Sequence, residues 1–295
     1  MCGERGFAVG DVNWSEMIGT RGLALGLMPG KGKKMPILQK SLPFYVWCDP
    51  RLTRLPGILP LQDDGWCVVD DAFAAQMAER DRLILGAPQL VHGLLEVGRP
   101  AAEELYDIVL ARLAKTEGYV VGPLRVTRPD GGVVALDRGQ PMLTLGRLVQ
   151  EDLCLMLKDG DEHVLVGAVL CFPASWTLAE KLGRPLIGIH GTVKPYDGEM
   201  AKRVQRLFDM IRVENPLWRM NALVYVNPDL HQPRREGDPR TDRRGGDYVR
   251  SERQCLLRLP VSDAVLFSIH TYVVRIVDLP GACLRPPLTA RTPAS

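Results

Sequence analysis

The sequence predicts an α+β fold, an antiparallel sheet with flanking helices and an N-terminal helical extension. Two observations carry this. Apolar residues recur at helical spacing between residues 72 and 116, and from residue 150 the pattern changes to short apolar runs. These runs are joined by connections of hairpin length and do not alternate regularly with helices, which argues against a doubly wound parallel sheet.

Taken in chain order, residues 1–40 are glycine-rich and end in the basic run Lys31-Gly32-Lys33-Lys34. They read as a poorly ordered leader whose charges are solvated. Residues 41–149 read as a helical packing region. Phe73, Met77, Leu83 and Ile84 mark one amphipathic stretch, and Leu105, Ile108, Val109 and Leu113 mark a second. Pro100 suits the first turn of that second helix and Lys115 its end. Residues 150–280 form the strand-rich core. Leu153–Leu157 and Val164–Phe172 are apolar runs separated by a turn containing Asp159-Gly160, a good hairpin sequence. The run Leu186-Ile187-Gly188-Ile189 reads as a strand that ends at His190. Residues 197–213 are an amphipathic helix, with Met200, Val204, Leu207, Phe208 and Ile211 on one side. Asn221–Val226 is a short strand, and residues 228–247 are a long surface loop. Arg250–Leu259 and Ala264–Ile276 are two further strands, broken by Pro260-Val261-Ser262-Asp263. Residues 281–295 are rich in Pro, Thr and Ala and read as a flexible tail.

Composition narrows the function. In 295 residues, 46% are hydrophobic and 24% charged, which is the balance of a globular protein. With 37 Lys and Arg against 35 Asp and Glu, no strong field points to nucleic acid or an anionic membrane surface. No run approaches the ~20 apolar residues that cross a bilayer. No secretory signal is expected, because Glu4, Arg5 and Asp11 interrupt the amino terminus. The seven cysteines are scattered without a CxxC pair, so a reducing, cytoplasmic compartment with free thiols is expected. HExxH, GxSxG and a phosphate-cradling glycine loop after a strand are all missing, so zinc, nucleophile-elbow and nucleotide chemistry have little support.

The residues able to carry chemistry lie in the second half. His190, at the end of its apolar run, is placed to offer a neutral imidazole to haem iron, or else is a core histidine bonded to a carbonyl. His270 shares a polar strand face with Ser268 and Tyr272, which either lines a site or is a half-exposed surface. His92, His163 and His231 read as surface, in helix, turn and loop. Arg250 and Glu252 fall on one strand face, Ser251 and Arg253 on the other. Arginine is the preferred fork for a carboxylate, so the segment Arg250–Gln254 and, second, Arg219 are candidates for that role, with a structural ion pair among Arg250, Glu252 and Arg258 as the alternative. Trp176 is either a pocket wall or core.

Several short pieces, in order, resemble one known family. They are Glu151-Asp152, Cys171-Phe172-Pro173-Ala174-Ser175-Trp176, Glu180-Lys181-Leu182-Gly183, Ile189-His190 and Arg219-Met220-Asn221, followed by Arg250-Ser251-Glu252-Arg253-Gln254, Leu257-Arg258-Leu259-Pro260 and Phe267 through Tyr272. The pattern is similar to the haem-binding subunit of haem-dependent oxidative N-demethylase, over about Leu55 to Ile276. The resemblance implies a PAS-like fold around haem b, with oxidative removal of a methyl group from a secondary or N-methylated amine using dioxygen and releasing formaldehyde. It implies electrons from NADPH through a separate flavin and iron–sulfur reductase subunit. Carried over residue by residue, it makes His190 the iron ligand and places Trp176, Lys194, Arg219, Arg253 and Arg258 on the cofactor side. Glu252 and His270 are then the catalytic candidates, Glu252 to hold or deprotonate the amine. The chain departs from the family pattern where Thr192 and Lys194 replace two prolines after the histidine, and where Ala222 replaces a tryptophan. Those departures leave open a haem-binding or ligand-sensing module without turnover, and an interaction subunit without cofactor.

Overall fold

A computed structural model describes residues 35–53, 57–62, 65–190, 198–239 and 246–280, with the side chains of His190 and residues 198–201 outside that description. The strands are β1 (Leu59–Pro60), β2 (His92–Leu94), β3 (Val120–Val121), β4 (Arg125–Thr127), β5 (Val133–Ala135), β6 (Asp152–Asp159), β7 (Glu162–Val169), β8 (Leu217–Tyr225), β9 (Tyr248–Arg258) and β10 (Val265–Arg275). The helices are α1 (Pro50–Thr53), α2 (Phe73–Gly86), α3 (Pro88–Val91), α4 (Arg99–Leu113), α5 (Pro141–Gly146), α6 (Leu178–Lys181), α7 (Leu186–His190) and α8 (Gly198–Met210). Seven strands form one sheet in the order β1-β8-β9-β10-β6-β7-β2, and β3-β4-β5 form a small second one. All the pairings are antiparallel, so the fold class is α+β. Asp159-Gly160 turns the β6–β7 hairpin as expected, with Gly160 at φ +58°, a conformation that glycine adopts without penalty.

Register sorts the side chains. Because opposed residues share a face, Met220, Ser251, Arg253, Ser268, His270 and Tyr272 point one way, and Arg219, Asn221, Glu252, Gln254 and Thr271 the other. The first face packs on Phe73, Met77 and Ile84 of α2 and Leu105, Val109 and Leu113 of α4 in one buried cluster that draws residues from Leu42 to Leu279. The second face is covered at one end by Leu178, Leu186, Phe208 and Ile211, which meet Cys154, Met156, Leu256 and Val265. Covered on both sides, β10 is buried along almost its whole length.

Four local readings change. Leu186–His190 is a helix, not a strand. The chain touches the edge of β7 through the Gly183 N–H, the Arg184 carbonyl and the bridge of Pro185 to Val164, then turns helical. A four-residue apolar run cannot distinguish the two by period, and the preceding proline presets helical φ. His92 opens β2 rather than lying in a helix, so the helical stretch of residues 72–116 is interrupted by an edge strand of the sheet. His163 is buried rather than on the surface, because α8 folds over it: its backbone N–H donates to Gln205, and its Nδ1 lies 2.8 Å from Gln205 Nε2. His231 is half-buried, its Nδ1 2.8 Å from the Cys171 carbonyl oxygen. The expected leader over residues 1–34, Lys194 and the expected tail over 281–295 lie outside the described residues.

A buried ion pair anchors the turn after β7. Arg80 donates to Asp152 at 2.7 Å, and both are inaccessible to solvent. The same carboxylate accepts the backbone N–H groups of Cys171 (2.7 Å) and Phe172 (2.8 Å), which fixes where the following loop leaves the sheet. Arg80 also donates to the Gly146 and Gln150 carbonyls, so α2, α5 and the sheet are tied together.

Candidate functional site

The half-covered sheet face carries a compact polar group. On β9, Arg250 and Glu252 are two residues apart and therefore point to the same side; Leu223 and Asn221 of β8 stand opposite them. Glu252 Oε2 accepts from Asn221 Nδ2 (3.2 Å) and Gln254 Nε2 (3.1 Å). Asn221 Oδ1 in turn accepts the Glu252 backbone N–H at 3.1 Å, so carboxylate and amide hold each other in register. Arg250 is buried, its Nη1 donating to the Leu230 carbonyl (2.9 Å) and its Nη2 to that of Phe172 (2.6 Å). Arg250 Nε forms an ion-pair contact with Glu252 Oε1 at 3.7 Å and, among the described residues, makes no hydrogen bond.

Asn221, Arg250 and Glu252, with Ala174, Leu223 and Tyr225, line a cavity of about 120 Å³. Its rim is the loop after β7. Ser175 sits there at φ +70°, a left-handed conformation that costs a residue with a Cβ ~1–3 kcal/mol and is kept where surrounding contacts demand it. The contacts are the Ser175 N–H to the Gln232 carbonyl (3.0 Å) and the Gln232 N–H to the Pro173 carbonyl (3.1 Å), which stitch this loop to the one after β8.

Arg219 lies one step along β8 on the same face, opposite Gln254. Among the described residues its Nε is buried without a hydrogen-bond partner, and burial pushes its pKa down from the usual arginine value. Thr271, on β10 opposite Glu252, has a buried hydroxyl with no hydrogen-bond partner among the described residues. Trp176, Ile189, Leu217 and Phe267 are half-buried apolar neighbours of the same side. Lys181 donates to the Ile189 carbonyl at 2.7 Å and also pairs with Glu236, so the end of α7, and with it the backbone of His190, is tied to α6.

The structure thus brings Glu252 and Arg219 together on one face, with Trp176 beside the apolar cluster there. Arg253 and His270 are on the opposite face, paired with each other across β9 and β10. Arg253 stacks on Trp218, its guanidinium carbon 5.3 Å from the ring. His270 is enclosed: Nδ1 meets Glu151 at 2.8 Å and Nε2 meets Asp70 at 3.1 Å. Burial works against its charge, but the two carboxylate hydrogen bonds outweigh that and raise its pKa to about 9. Arg258 is committed to the end of α8, donating to the carbonyls of Phe208 (2.5 Å) and Ile211 (3.0 Å) and to that of Asp263 (2.8 Å). Arg250, Asn221 and Tyr225 were not among the sequence-derived site residues as a group. Their two-residue spacing along adjacent strands is the only trace of the cavity in the sequence.

A family model described as haem-dependent oxidative N-demethylase, alpha subunit-like, matches residues 57–291. The chain belongs to that family. In this N-demethylase alpha-subunit-like protein, the described residues include no cluster of three or more His, Cys, Asp or Glu side chains suited to holding a metal ion. They include no helix long and apolar enough to cross a membrane. The family's cofactor can be tested against the residues present. A haem needs an apolar wall and cationic partners for its propionates, and the face with Trp176, Ile189, Leu217 and Phe267 beside an unpartnered, buried Arg219 Nε meets both needs. The cavity of about 120 Å³ is well below the ~300–1,000 Å³ of sites for drug-sized ligands, so it suits a small substrate rather than the macrocycle.

Proposed function

We propose that this protein is a haem-dependent, dioxygen-using oxidoreductase that removes a methyl group from a secondary or N-methylated amine and releases formaldehyde. The observation that carries the proposal is the juxtaposition on one sheet face, in a chain of this family, of Arg219 and Glu252: among the described residues, Arg219 Nε is buried without a hydrogen bond, and Glu252 Oε1 has an ion-pair contact with Arg250 but no hydrogen bond. The PAS-like core is residues 150–280, an antiparallel sheet with α6, α7 and α8 against one face; residues 41–149 are the packing region behind it.

Arg219 holds a propionate, Trp176 forms part of the apolar wall, and His190 and Lys194 belong to the cofactor side, with His190 as the iron ligand. Haem b, when bound, supplies the oxidising chemistry that a protein side chain lacks. Everything else falls to this chain. An amine arrives at neutral pH as an ammonium ion and must lose its proton before the neighbouring methyl group is oxidised. Glu252 Oε1 is the acceptor for that proton, because Oε2 is occupied by Asn221 and Gln254. The guanidinium of Arg250 stands beside that oxygen, its Nε 3.7 Å from Oε1. In the overall balance, NADPH supplies two electrons through a partner subunit with flavin and an iron–sulfur centre, and dioxygen supplies one oxygen to formaldehyde and one to water.

The test is an absorption spectrum of protein expressed with haem precursor, followed by formaldehyde release with NADPH and a reductase. A Soret band that disappears in His190→Ala, with the circular dichroism spectrum unchanged, is the expected result. Absence of a Soret band in the parent protein overturns the proposal. Loss of the band in His270→Ala but not in His190→Ala reassigns the ligand.

A further inference from the structure

Arg250 is 2% exposed, and its Nε is a buried donor without a hydrogen bond. Its other two nitrogens are committed to the Leu230 and Phe172 carbonyls, so the guanidinium cannot swing away. Glu252 is held as firmly through Oε2, while among the described residues Oε1 makes no hydrogen bond. Arg250 Nε and Glu252 Oε1 are 3.7 Å apart, too far for a hydrogen bond between them. Arg250 and Glu252 both line the cavity, so a molecule within it lies beside a fixed cation and a fixed anion.

A simple amine satisfies the acceptor and leaves the buried donor orphaned, which costs affinity. A simple carboxylate does the reverse. An α-amino acid carries both charges, joined through a single tetrahedral carbon, and satisfies both groups at once. Size agrees. A cavity of 150 Å³ accommodates benzene, so one of about 120 Å³ takes a molecule of about five or six non-hydrogen atoms. N-methylglycine falls within that range, and Leu223 and Tyr225 offer apolar surface to its methyl group.

We propose that this cavity binds a zwitterionic N-methylated amino acid. Arg250 Nε donates to the ligand's carboxylate, and its methylammonium group donates to Glu252 Oε1. The assignment of this ligand as substrate rests on the demethylase reading above; its binding does not. The same carboxylate chemistry is offered by a haem propionate, and the experiment separates the two.

The experiment is calorimetric titration of N-methylglycine and of N-methylpropylamine, which lacks the carboxylate, into the protein as purified and after haem loading. N-methylglycine is expected to bind at least about tenfold more tightly than the plain amine. Glu252→Gln is expected to weaken N-methylglycine by about tenfold or more with its circular dichroism spectrum unchanged. Arg250 also holds two loop carbonyls, so the comparison of ligands on the unaltered protein stands in for its substitution. Equal or tighter binding of N-methylpropylamine, or an unchanged N-methylglycine affinity in Glu252→Gln, overturns the inference. So does competitive loss of N-methylglycine binding on haem loading, which gives Arg250 to a propionate. Protein without a Soret band that still prefers N-methylglycine overturns the demethylase reading and leaves this site standing. Haem-loaded, active protein that prefers the plain amine does the opposite.

Discussion

Raising the pH above neutral weakens this fold through one buried imidazole. His270 joins the central strand to Glu151 and Asp70, and its pKa is raised to about 9 from an ordinary 6.5. The folded chain therefore holds that proton more tightly than the unfolded chain does. The stabilisation is complete below about pH 6.5, declines as pH rises towards 9, and is gone above it. At 1.36 kcal/mol per unit the gap is worth about 3 kcal/mol, a large share of the ~5–15 kcal/mol that holds a typical domain together. Asp70 agrees in direction: burial alone raises its pKa, but its hydrogen bond to His270 prevails and holds it below the usual carboxylate value. The measurement is urea unfolding followed by tryptophan fluorescence at half-unit steps from about pH 6 to 9.5, for the parent protein and His270→Gln. Burial pushes the Cys171 and Cys255 thiols up to about 12, so both proteins share an additional decline as unfolded thiols ionise near pH 9. The difference between the two curves isolates His270. A parent stability that stays level between pH 6.5 and 9, or falls no faster than that of His270→Gln, refutes the reasoning.

Three further outcomes are expected. Asp152→Asn leaves Arg80 charged and buried and turns an amide donor toward backbone N–H groups, so urea unfolding should show a loss of ~3–5 kcal/mol. Gly246→Ala places a Cβ 2.5 Å from the Tyr225 carbonyl oxygen, a backbone atom that cannot yield cheaply, and should lower stability by ~1–3 kcal/mol in the same assay. Arg219→Met removes a buried guanidinium whose Nε is unpartnered, so haem-free protein should melt no earlier than the parent while haem titration shows ~10–100-fold weaker binding. A structural role for Arg219 predicts the reverse pattern, a lower melting temperature with haem affinity retained.

Much of the candidate site was legible because strand alternation is a local rule. Once β9 is a strand, Arg250 and Glu252 must share a side and Arg253 must oppose them, whatever the rest of the chain does. The same rule placed His270 with Ser268 and Tyr272 on one polar face. It could not say that this face would be buried against α2 and α4, because that depends on Asp70 arriving from 200 residues away to meet the imidazole. His163 shows the same limit: read beside a turn it looks exposed, but α8 closes over it.

The alternation of apolar residues and the Asp-Gly turn by themselves determined an antiparallel sheet preceded by helices, since both depend on neighbours within a few residues. Which charges became structural and which were left with unused hydrogen-bonding capacity was decided only when distant segments packed. Arg258 is consumed by the end of α8, His270 by Glu151 and Asp70, and Asp152 by Arg80, whereas Arg219 Nε and Glu252 Oε1 remain without a hydrogen bond among the described residues. Whether a polar atom finds a partner depends on distance in space, and only the packed chain sets that distance.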